Sequence, residues 1–420
     1  MHTRPSLRLA VPSAALLAVF AATAGDVAQA APFPVAEPAA SPFVLDSTPA
    51  INFEPIVASD ARGNSVIAWS VLDNEGGRVV AMLVDSRGQA HGPLLQVSTI
   101  TGISQLGPLV AMNEQGRFVV AWSSVIPNTQ TNDLRAQIFG RDGTKIGPEI
   151  AVNLSQADGS PATPAVAIDS EGNVVLAWAA ASVLVRRFDR RGAPLGPETV
   201  LTAPGQANYP QIVKQPDGGF AVLWFPNYLP KRNLIYGRRF RPGGKPEAAN
   251  FSLNLRSTLP LGEEVAAATT AEGDFILTWQ VCNMDAVDPR CEVHARRFDA
   301  NGRPLSAEFR VSPENGRSHN SPGVVVGAHG YFMIVWYDCE RFGVDCRPAA
   351  RAYNAEDAPA LNESALATGD DTNSLSATAG PNGFQLVWNT NTCFSLAPDC
   401  QNDTPQGIYT WRFDFPHRHR

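Results

Sequence analysis

The chain has no cysteine before Cys282 and no long basic run, and beyond residue 30 no apolar run long enough to cross a bilayer. Each absence excludes something. A spanning helix needs ~20 strongly apolar residues, so membrane insertion is not expected. With 33 Lys and Arg against 40 Asp and Glu, and a formal net charge of −7, the balance argues against nucleic acid or an anionic membrane as partner. The first thirty residues have a basic start at Arg4 and Arg8, a mostly apolar stretch from Leu9 to Gly25, and Ala28-Gln29-Ala30. That is the pattern of a secretory signal peptide. No cysteine stands at the cleavage position, which argues against a lipoprotein. Residues 1–30 are therefore expected to be removed, 31–42 to form a flexible linker, and 43–420 to form one domain. The expected location is secreted or periplasmic.

What is present is a repeated tryptophan. Trp69, Trp122, Trp178, Trp224, Trp279, Trp336 and Trp388 recur at roughly 53 residues, a spacing that means propellers, solenoids or arrays. Each closes the same phrase, a turn glycine followed by alternating apolar residues, as in Gly63–Trp69 and Gly116–Trp122. Before it comes a strand near a proline (Pro55, Pro108, Pro164, Pro210) and a tight Asp- or Asn-led turn. After it come a third strand ending in an aromatic, as in Val185–Asp189 and Ala295–Asp299, a second compact turn, and a fourth strand. Four short antiparallel strands recurring seven times predict an all-β, seven-bladed β-propeller. Separate sandwiches are the alternative, but the unit is short for a sandwich of ~100 residues. The last copy, through Ile408–Asp414, has a third strand and no fourth. Phe43–Asp46 matches the missing strand and would close the ring from the other terminus, removing an open sheet edge.

The phrase GNxVxxW…ARRFDxxGxPLG is cleanest at Gly172–Trp178 with Val185–Gly196, and at Gly273–Trp279 with Ala295–Leu305. It resembles a repeat found in secreted bacterial proteins of propeller type. The resemblance spans the mature chain and implies a fold and an extracytoplasmic setting, with no defined catalytic residues. Kelch and WD-type phrases are absent, as is the Ser-x-Asp-x-Gly-x-x-Trp box of sialidases.

The six cysteines form three close pairs, Cys282 with Cys291, Cys339 with Cys346, and Cys393 with Cys400, each shortly after a tryptophan. Six cysteines allow fifteen pairings. Repeat equivalence selects the one in which each second-to-third loop of blades five to seven is stapled to itself, the expected chemistry in an exported protein. A zinc site would need these pairs to converge, and separate blades hold them apart. The short Gly turns leave one rim uniform. The opposite rim carries connections of varied length, where binding usually resides.

That rim supplies the candidate ligand-binding residues: His319 in a fourth-to-first loop, Tyr337, Asp338, Glu340, Arg341 and Asp345 around the blade-six staple, Asp370, and Asp399. No catalytic set is assigned. No Ser-His-Asp order has spacing support. No cofactor is predicted; Ca²⁺ is the cation that convergent carboxylates would take. The repeated tryptophans are expected to pack between blades, and the Arg-Arg pairs before Phe188, Phe240 and Phe298 to belong to the scaffold. The function expected is a monomeric binding or scaffold module for a carbohydrate or an extracellular or envelope protein. The alternative is a propeller-type glycosidase or lyase using loop carboxylates of blades five to seven.

Overall fold

A computed structural model describes residues 43–44, 51–73, 76–99, 104–125, 132–154, 162–205, 207–226, 234–255, 261–283, 289–341, 344–359, 364–365, 372–390 and 407–414. They form seven four-stranded antiparallel sheets, six of them meanders in chain order. Blade one, for example, runs Ile51–Ser59, Ser65–Asp73, Gly76–Val84 and Ala90–Gln96. First strands of successive blades touch one another all the way round, blade seven against blade one included, so they form the inner wall of a ring. This is a seven-bladed β-propeller. Blade seven takes Thr372–Gly380, Gly383–Thr390 and Ile408–Asp414 from one terminus and Phe43–Val44 from the other. Phe43 pairs with Thr410 and Val44 with Tyr409, as the sequence anticipated.

The turns follow from their side chains. Asp60 accepts the N–H groups of Arg62 and Asn64 through one carboxylate oxygen, both at 2.9 Å, and Gly63 takes φ +84°. Asp169 does the same for Asn173 at 2.8 Å, with Gly172 at +90°. Second strands are buried on both faces because blades stack on either side; Val174–Ala179 is buried throughout. The seven tryptophans are all buried. Each joins an apolar cluster with the preceding blade: Trp122 with Ala68 and Val79, Trp178 with Val119 and Leu134, Trp279 with Leu223 and Ile235. Trp69 packs with Val387 and Ile408 of blade seven, so the same contact seals the ring. A second repeated pair stacks across the second and third strands, with ring centroids 4.8 Å apart in Phe118–Phe139 and 4.5 Å in Phe220–Phe240.

First strands begin earlier than the prolines suggested. In blades one, two, four and six the register shifts ahead of the proline, between Phe53 and Ile56, Leu106 and Leu109, Asn208 and Gln211, and Asn320 and Gly323. The bulged residue has positive φ in each: Glu54, Gly107, Tyr209, Ser321. Proline follows it, because the ladder is broken there and no N–H is required. These bulges reach neighbouring blades. Glu54 accepts the N–H of Gly107 at 2.9 Å, and the N–H of Ser321 donates to Gln280 Oε1 at 3.1 Å.

The arginine pairs also tie blades together, as a scaffold role requires. Arg186 donates to the Val152 carbonyl at 2.7 Å, back toward blade two. The second arginine reaches forward into the next blade's compact turn. Arg187 donates to Gly243 O, Arg239 to Asn301 O, Arg297 to the Asp357 carboxylate and, across the ring closure, Arg412 to Ser86 O.

Candidate functional site

The cysteine pairs of blades five and six are disulfides, Cys282–Cys291 and Cys339–Cys346. They are directly opposed cross-strand positions near the ends of paired strands rather than loop residues: Phe275–Asn283 with Arg290–Phe298, and Phe332–Arg341 with Val344–Tyr353. Cys393 and Cys400 lie outside the described residues, as do Asp370 and Asp399.

The two staples are joined by a buried polar seam. The Cys291 N–H donates to Ser318 Oγ at 3.1 Å. The Ser318 hydroxyl donates to Asn320 Oδ1 at 3.2 Å, and Asn320 Nδ2 donates to Cys339 Sγ at 3.4 Å. Ser318 and Asn320 belong to the first strand of blade six, Ser318–Val326, which places their side chains between the two hairpins. Ser318, Cys291 and Cys339 are fully buried and Asn320 nearly so. Sequence reasoning missed this seam; the signal was the Ser-x-Asn two residues either side of His319.

His319 is not in a loop. It sits in that first strand, fully buried, opposite Asp338. The extended first strand of blade six explains the difference. His319 occupies the register position from which Asn52 and Gln105 accept the indole N–H of their own blades' tryptophans, at 3.0 and 2.7 Å. Here the ring lies edge-on to Trp336, 6.5 Å between centroids, and Nε2 faces Asp338 Oδ1 at 3.4 Å. The Trp336 indole N–H and His319 Nδ1 have no hydrogen-bond partner among the described residues. Asp338, expected among solvated loop acids, is also buried, and Arg317 Nε donates to it at 2.7 Å. Burial pushes its carboxyl up, but the contacts with His319 and Arg317 outweigh that and hold it below the usual carboxylate range. Tyr337 is half-buried on the same strand, and Glu340 and Arg341 are exposed at its end. Asp345 lies on the partner strand. Thus the structure brings His319 to Asp338 and places Tyr337 just before, and Glu340 and Arg341 beyond, Asp338 on the same strand.

Among the described residues no group of three or more His, Cys, Asp or Glu side chains is arranged to hold a metal ion, and no helix is long and apolar enough to cross a membrane. Asp370 and Asp399, two of the loop acids to which the Ca²⁺ expectation extends, fall outside them.

No protein-family model matches the chain. No curated protein matches it either. Similar solved structures exist. An α-L-arabinanase from Penicillium chrysogenum complexed with arabinobiose has TM-score 0.52 and 11% identity, over 76% of this chain and 100% of that one. The β-propeller domain of the Trilobed protease from Pyrococcus furiosus has TM-score 0.48 and 7% identity, over 90% and 99%. A protein of unknown function from Dyadobacter fermentans has TM-score 0.48 and 10% identity, over 89% and 98%. At such identities the likeness concerns the fold alone.

Proposed function

We propose that the chain is an exported binding module that engages a carbohydrate, or an extracellular or envelope protein, through the rim carrying the stapled hairpins. The observation that supports this is the buried seam from Cys291 through Ser318 and Asn320 to Cys339. It locks two neighbouring hairpins to each other and to the inner wall. Glu340 and Arg341 at the end of the blade-six hairpin, with half-buried Tyr337 further in on the same strand, then lose little freedom on binding, which is how preorganisation raises affinity. The cross-strand disulfides are compatible with an extracellular setting. Arg317 and His319 hold the Asp338 carboxyl below the usual carboxylate range, which does not suit it to the proton-donor role of a glycosidase.

A glycan array probed with the full chain tests the proposal, followed by calorimetry on the tightest-binding oligosaccharide with wild type and a Tyr337→Ala/Arg341→Ala double variant. Saturable binding that weakens at least tenfold in the variant supports the rim site. Release of new reducing ends from a bound polysaccharide points instead to the enzyme, and binding unchanged in the variant removes the rim from the account.

A further inference from the structure

The opposite rim, with the compact turns, carries a feature that the net charge conceals. The third-to-fourth turns of blades three, four and five present Arg190, Arg191, Arg241, Lys245 and Arg303, all exposed. Of these only Arg241 has an ion pair among the described residues, a 3.9 Å contact to Glu247. The nearby acids Asp189 and Asp299 cap their own turns, and Asp189 offsets part of the Arg191 charge. Asp189 accepts the N–H groups of Arg191 and Ala193 at 2.8 and 2.9 Å, and Asp299 those of Asn301 and Arg303 at 2.9 and 2.7 Å. These turns form a fixed array, since Arg187 holds the turn of blade four and Arg239 that of blade five. Gly244 makes this approach possible: a Cβ there would lie 1.8 Å from the Arg187 guanidinium. Beside the array, between blades three and four, a cleft is lined by Arg187, Lys214, Asn173, Asp169 and Phe220. Asp169 binds Asn173 through both carboxylate oxygens and keeps its charge, and with Glu114 it faces Lys214, so the cleft sets two cations, Arg187 and Lys214, against the Asp169 carboxylate.

We infer that this cleft and the flanking turns bind an acidic polysaccharide, with a carboxylate or sulfate seated between Arg187 and Lys214 and further anions along Arg190, Arg191, Arg241 and Lys245. The extent of the patch over three blades calls for a chain of anions rather than a lone ion. Single-stranded nucleic acid needs exposed aromatic faces for its bases. Here Phe220 and Phe240 are buried and stacked on each other. A membrane surface needs a continuous apolar face beside the cations, and the exposed apolar side chains of these turns are single leucines, Leu195 and Leu305. On the inner side of this rim, Glu114, Glu171, Asp217 and Glu272 are exposed and confine a polyanion to the periphery. No basic run announces the patch, because its residues come from three repeats.

The test uses the full chain with polygalacturonate and dextran sulfate as probes, and neutral dextran, an oligonucleotide and anionic phosphatidylglycerol vesicles as comparisons. Binding to one or both acidic glycans is expected, with none to dextran. It should weaken on the order of tenfold or more between about 50 and about 200 mM salt, as multiple ionic contacts require. An Arg190→Glu/Arg191→Glu/Arg241→Glu variant should lose at least tenfold. Lys214→Met with Lys245→Ala, should the first variant fold poorly, should lose severalfold. The rim variant Tyr337→Ala/Arg341→Ala should bind these probes as wild type does, which separates this site from the one proposed above. Binding that is equal in wild type and charge-reversed protein, or tighter to oligonucleotide or vesicles than to both acidic glycans, overturns the inference.

Discussion

Replacing Ser318 with alanine isolates the seam that joins the two staples. The hydroxyl accepts the Cys291 N–H at 3.1 Å and donates to Asn320 at 3.2 Å. Both Ser318 and Cys291 are fully buried, so water cannot take over. A buried donor left without an acceptor costs about 1–3 kcal/mol, and the variant is expected to lose about 2 kcal/mol in urea unfolding followed by tryptophan fluorescence. If opening is local, the Cys291 amide should exchange about 30-fold faster, since 1.4 kcal/mol is tenfold. Ser312→Ala is the matched control. Ser312 Oγ accepts the Val293 N–H at 3.0 Å, also buried, within blade five. It should cost a similar amount while leaving the Cys339–Cys346 disulfide as resistant to dithiothreitol as wild type. Ser318→Ala should make that disulfide easier to reduce. A loss below about 0.5 kcal/mol, with reduction unchanged, would refute the coupling.

Other expectations follow from single contacts. Gln105→Leu strips the acceptor from the Trp122 indole and should cost about 1–3 kcal/mol in urea unfolding, whereas Asn320→Asp, which keeps an acceptor but loses the Nδ2 donor to Cys339 and buries a carboxylate, should cost more than Ser318→Ala. Asp338 has a depressed carboxyl, so its contribution to stability is present above the ordinary carboxylate range, near about 4, and is lost as pH falls through its folded value. Wild type should therefore exceed Asp338→Asn in stability at neutral pH, and the two should converge in acid unfolding as Asp338 takes up its proton. Gly244→Ala combines φ +81° with a Cβ 1.8 Å from Arg187, so it should displace that arginine and lower the melting temperature by several degrees in calorimetry.

The tryptophan period and the turn glycines made the ring legible, because every blade needs one large apolar residue against its predecessor and one left-handed turn position. The closure by Phe43–Val44 was legible for the same reason: the last repeat lacked a fourth strand. Equivalence between repeats likewise selected the pairings Cys282–Cys291 and Cys339–Cys346. The candidate site was less legible. His319 and Asp338 looked like loop residues because they lie beyond the repeat phrase, but long strands in blade six draw both into the interior. The bulges were hidden as well. Glu54, Tyr209 and Ser321 share no side-chain type, and only the proline after each marks the break in the ladder. The cationic patch was invisible as composition, since it depends on three repeats meeting on one rim.

The most direct measurement is differential hydrogen exchange of the full chain with and without the tightest-binding oligosaccharide from the array. The account predicts protection concentrated on residues 289–294 and 337–341, the stapled ends of blades five and six. Protection confined to other blades, with these segments unchanged, would contradict it.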